Sequence, residues 1–155
     1  RWTGNGYATS ARAWSDSGYR LKNTSGDTSP EFITQDGRFT YRFEAYAFSG
    51  RPVRVFAYKA GRFSDVTRQN LALVRADADD QWQSYRRVRR ERLGRGFAAA
   101  WAADQYRLGR RAQALRTLRS EARKGRLGAK YDRATASQYI RTLDRLLLRW
   151  GYASS

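Results

Sequence analysis

The stretch VRVFAYKAGRFSDVTRQNLALV, residues 53–74, changes its periodicity half-way along, and that change decides the fold. Val53, Val55 and Ala57 alternate with Arg54, Phe56 and Tyr58, the two-residue period of a strand with one covered face. Lys59-Ala60-Gly61 is a turn, and Arg62-Phe63 a short return strand. Beyond Asp65 the period becomes helical: Leu71, Val74, Ala78, Trp82 and Tyr85 fall on one face, with Thr67 placed to cap the helix. Pro52 fits the start of the strand and would break its centre.

Upstream, Glu31-Phe32-Ile33-Thr34 reads as another strand, followed by Asp36-Gly37, a hairpin-turn pair. Phe39, Tyr41, Phe43, Ala45 and Ala47 then alternate with Thr40, Arg42, Glu44 and Tyr46, which predicts a third strand. Strands are therefore expected over most of residues 19–63. Downstream, Gly94 and Gly96 interrupt the first helix. Phe97 to Leu108 forms a second, ended by Gly109, and Ala112 to Ala122 a third, ended at Gly125 or Gly128. The alanine-rich pair resembles a tetratricopeptide-type hairpin. Asp132 to Trp150 is a fourth helix, with Tyr139, Ile140, Leu143, Leu146, Leu147 and Trp150 as its apolar stripe. If the Trp150 ring is fully buried, its truncation to Ala costs about 3–5 kcal/mol. The expected class is α+β: an N-terminal antiparallel meander followed by a bundle of about four helices. At 155 residues the chain is one domain, β-rich over 1–64 and helical over 65–155.

Composition bounds the chemistry. Cys, His and Met are absent, which excludes thiol and imidazole nucleophiles, disulfides and ordinary zinc sites. Hydrophobic residues at 41% suffice for a core, and no apolar run approaches the ~20 residues that span a bilayer. Asp77, Asp79 and Asp80 are the densest acidic group. They sit early in a helix whose far end is basic, a placement the helix dipole favours. A carboxylate-dependent enzyme is the minor alternative, with no phosphate-binding glycine loop to suggest another chemistry.

The loop Asn23 to Glu31 carries oxygen-bearing side chains at Asn23, Ser25, Asp27 and Glu31, a spacing that suits a hard cation. Run on to Asp36, it resembles an FG-GAP or VCBS-type repeat of exported bacterial proteins. In that family acids hold the positions where Asn23 and Ser25 stand here. The resemblance implies an exported or cell-envelope protein and, at most, weak calcium binding by these four residues; no other cofactor is expected. A polar turn built on local hydrogen bonds is the simpler use of the same residues.

Net charge is +17, and it is uneven: residues 1–64 carry 10 basic and 5 acidic side chains, residues 65–155 carry 21 and 9. Arg86, Arg89, Arg90, Arg92, Arg110 and Arg111 form the predicted polyanion-binding set. Acids are sparse around them, and repulsion of that size calls for an anionic partner. The function expected is a non-enzymatic module that binds an anionic polymer, an envelope glycan in an exported protein. An intracellular, cytoplasmic nucleic-acid-binding protein is the alternative, although no zinc finger, RNP-type strand pair or helix-turn-helix is recognisable.

Overall fold

The computed structural model describes residues 4–6, 11–14, 16–129 and 134–153. Four strands, β1 (Arg20–Lys22), β2 (Glu31–Gln35), β3 (Val53–Lys59) and β4 (Arg62–Asp65), form an antiparallel sheet in chain order. Four helices follow: α1 (Leu71–Val88), α2 (Arg95–Arg107), α3 (Arg111–Arg123) and α4 (Ala136–Arg149). The class is α+β, a meander and then a helical bundle, as the change of period near Asp65 predicts.

Register sorts the strand residues by face. Ile33 pairs with Val55, and with Val53 these side chains pack on Val74 of α1. Phe32 pairs with Phe56 and Thr34 with Arg54 on the opposite face. The second core lies among the helices. There α2 is buried along nearly its whole length, its alanines letting α1, α3 and α4 approach closely. Tyr139, Ile140, Leu143, Leu146 and Leu147 of α4 are buried as their spacing demands, whereas Trp150 caps the helix end only half-buried. Thr135 and Gln138 form a reciprocal capping box at the start of α4. The expected start at Asp132 lies outside the described residues.

Four local expectations are corrected. Residues 39–47 are not a strand. They run through 3₁₀ turns at Gly37–Phe39 and Tyr46–Phe48, so strands occupy less than half of residues 19–63. Tertiary demand overrides the alternation: Phe39 is fully buried against Trp150 and Tyr152, and the Ser49 hydroxyl ties together Tyr41 N–H and the Glu44 carbonyl. Asp36-Gly37 consequently opens a long excursion rather than a hairpin, closed where Asp36 N–H donates to the Pro52 carbonyl. Thr67 does not cap α1. It is buried, accepting Val55 N–H at 2.9 Å and donating to Asp65 at 2.5 Å, while Asn70 precedes the helix. Gly94 does separate α1 from α2, with φ +104°, but Gly96 lies inside α2. A Cβ on Gly96 would stand 2.1 Å from the Phe48 carbonyl oxygen, so glycine there is what lets the excursion cross the helix.

Candidate anion-binding surface

The basic residues at the end of α1 meet around one groove. Gln83, Arg86, Arg87, Arg89 and Arg90 enclose about 400 Å³, with no acid among the lining side chains. The helix carries Arg86 and Arg87 in its last turn, where the carbonyl ends of the dipole favour cations. A 3₁₀ turn, Arg89–Glu91, then swings Arg89 and Arg90 to the same side. Arg86, Arg87 and Arg90 are exposed. Arg89 turns partly inward and pairs with the buried Glu121 at 2.7 Å. That carboxylate also accepts the Tyr85 hydroxyl at 3.1 Å, and burial, with the nearby Glu121 charge, holds the phenol ionised only far above neutral pH.

The six arginines predicted as one set do not share one face. Arg92 lies in the α1–α2 connection in a left-handed conformation, its side chain against Gly128. Arg110 and Arg111 sit at the far end of α2, a helix roughly 20 Å long. Arg111 is forked onto Asp144 with two contacts of 2.9 Å, and Tyr106 donates to the same carboxylate at 2.6 Å. Arg111 thus clamps α3 to α4 while remaining exposed, and Arg110 beside it is exposed too.

In the Asn23–Glu31 loop the candidate oxygens have protein donors. Asn23 Oδ1 accepts Gly26 N–H, and Asp27 accepts Ser29 N–H and Lys59 Nζ, the latter at 2.7 Å. The Lys59 contact leads in holding the Asp27 carboxyl down to about 2. Glu31 accepts the Thr24 N–H and hydroxyl at 2.7 and 2.8 Å, which keep its carboxyl low against the cost of desolvation. A cation held here would have to displace Lys59 and Thr24.

Asp79 and Asp80 are exposed, but Asp77 belongs to a constellation that spacing alone does not reveal. Its Oδ2 accepts Val53 N–H at 2.9 Å, and its charge acts on Asp104 of α2. Asp104 is fully buried, with Arg107 at 3.5 Å as its counter-ion, while Arg107 donates to the Val53 carbonyl. Burial first, and the Asp77 charge second, raise the Asp104 carboxyl well above its ordinary value. Asp77, Asp104 and Arg107 thus gather charge where α1, α2 and the start of β3 meet, and both Asp104 oxygens are buried without a hydrogen-bond partner among the described residues. The available signal was an acid and an arginine three residues apart within an alanine-rich helix.

A family model for the sll0997 C-terminal domain matches residues 74–151, half of the chain. The chain belongs to that family. The match to the sll0997 C-terminal domain runs from early in α1 to just beyond α4, so it contains the Arg86–Arg90 groove and the Asp77–Asp104–Arg107 constellation, and leaves the sheet outside. The chain is also similar to the uncharacterized protein y4bJ of Sinorhizobium fredii (strain NBRC 101917 / NGR234), 34% identical over 116 residues. That alignment covers 72% of this chain and 18% of y4bJ, so the chain spans under a fifth of that relative's length. No solved structure matches the chain. Among the described residues, no helix is long and apolar enough to cross a membrane.

Proposed function

We propose that this chain is a non-enzymatic interaction module that binds an anionic polymer by charge. The observation that carries the reading is the groove of Arg86, Arg87, Arg89 and Arg90, lined otherwise only by Gln83. Three exposed guanidiniums, Arg86, Arg87 and Arg90, beside an Arg89 held by Glu121, fit a repeating anion around an open concavity, since each free fork can engage an oxyanion and no carboxylate lines the groove. In an exported bacterial protein the polymer is an envelope glycan or teichoic acid; in an intracellular one it is nucleic acid.

Competition among DNA, RNA, heparin and teichoic acid at two salt concentrations tests this. A charge-driven binder treats the four alike, and on duplex DNA its log affinity falls against log salt with a slope of about −0.9 per phosphate neutralised. Arg86→Glu with Arg90→Glu weakens all of them. Nanomolar DNA or RNA binding kept at ~0.3 M salt identifies a nucleic-acid specialist instead, because base and 2′-hydroxyl contacts are not screened. Failure to bind any polyanion at low salt rejects the proposal.

A further inference from the structure

The face of the sheet turned away from α1 holds a second concentration of positive charge, independent of the α1 groove. Arg54 and Phe56 project there from β3, opposite Thr34 and Phe32 of β2. Residues 11–14 lie across them. The Trp14 ring stacks on Phe32 at 5.4 Å, and the Arg12 guanidinium stands 3.6 Å above the centre of Phe56. Arg54 approaches the same ring to 4.7 Å. Arg12, Arg38 and Arg54, with Thr34, Gln35 and Trp14 among the remaining walls, surround a pocket of about 200 Å³.

The acids nearby are already committed. Asp36, which also borders the pocket, is buried under a forked contact from Arg38 and accepts the Tyr152 hydroxyl at 2.7 Å. Asp65 takes Arg54 Nη2 at 2.6 Å and the Thr67 hydroxyl. Arg54 Nε is nevertheless buried without a partner, a cost that folded chains rarely leave standing. Arg12 donates no hydrogen bond among the described residues, and burial followed by the charge of Arg54 makes its guanidinium easier to deprotonate than usual.

We propose that the pocket bounded by Arg12, Arg38 and Arg54 binds a phosphoryl group, as free phosphate or as a monoester. A phosphate dianion offers enough oxygens to engage more than one planar fork and enough charge to cancel the Arg12–Arg54 repulsion. A carboxylate, with one charge and two oxygens, satisfies one fork only. The aromatic walls limit water, which strengthens each charged contact.

The test is titration of the chain with inorganic phosphate, phenyl phosphate and acetate at constant ionic strength, followed by calorimetry and by the arginine Nε–H signals. One saturable site for both phosphates is expected, at least about tenfold tighter than acetate. Arg12→Gln, which breaks only ring contacts, weakens phosphate at least about tenfold, as does Arg54→Gln. Arg86→Gln with Arg90→Gln leaves it unchanged, which separates this site from the polymer groove. Circular dichroism of each variant checks the fold. Tighter binding of phenyl phosphate assigns the site to esters, and equal binding assigns it to the free anion. Phosphate binding that never saturates, that acetate matches, or that Arg12→Gln leaves intact overturns the proposal.

Discussion

The Asp104 carboxyl is withdrawn from water, close to Asp77 and 3.5 Å from Arg107, so its protonation is coupled to the fold. Desolvation above all, with the Asp77 charge behind it, raises its folded pKa. Over the interval between its unfolded pKa of about 4 and the higher folded value, the native state binds more protons than the unfolded chain. The stability that this group contributes is therefore complete below the unfolded value and is lost as pH rises through the folded one. Asp104→Asn keeps the shape and a hydrogen-bond donor without the titration. Its melting temperature is expected to gain on that of the native chain as pH rises from about 5 to about 8. Parallel melting curves check this, and two curves with constant separation would show an ordinary Asp104 titration. Asp104 as an acidic residue was plain in the sequence. Its partner Asp77 was legible only as part of an acidic run, because the contact crosses between helices.

At the scale of elements, α4 separates what periodicity foresees from what it overestimates. Its stripe is a regular run of apolar residues, and Leu143 is buried to 1% exposure. Leu143→Ala is expected to cost about 3 kcal/mol, within the range for a core leucine. Trp150 ends the same stripe but sits at the helix C-terminus with one side open, touching Phe39 at 5.2 Å and the Arg38 guanidinium at 4.9 Å. Its truncation to Ala is expected to cost about 2 kcal/mol, below the cost for a fully enclosed ring. Urea denaturation of the two variants checks the order, and a larger loss for Trp150→Ala would place that ring at the centre of the bundle. Residues 39–47 show the complementary failure. A period of two makes a strand only where a neighbouring strand can pair with it. Here Glu44 instead accepts Gly94 N–H at 2.8 Å and Arg95 N–H at 2.6 Å, capping α2.

For the whole molecule the dominant quantity is the net charge of +17. Ion pairs such as Arg89–Glu121 and Arg111–Asp144 place the few acids beside particular arginines. The exposed arginines at the end of α1 still repel one another, and salt screens such repulsion within about 10 Å at 0.1 M. The melting temperature is therefore expected to rise between ~10 mM and ~200 mM sodium chloride, with most of the gain at the low end. Thermal denaturation across that series checks it. A fall with salt would mean that the attractive pairs outweigh the repulsion.

By itself the sequence determined the order of strands before helices, the boundary near Asp65, most of the apolar faces and the basic excess. Each is a local or additive property: side-chain period follows backbone geometry, and charge sums without regard to fold. Tertiary structure alone decided the rest. It bent residues 39–47 over α2, where Gly96 admits the Phe48 carbonyl. It divided the predicted arginine set between the two ends of α2, and it brought Arg12, Arg38 and Arg54 around one pocket. Those outcomes depend on which distant backbone groups and side chains meet, and sequence spacing carries no record of contacts made across elements.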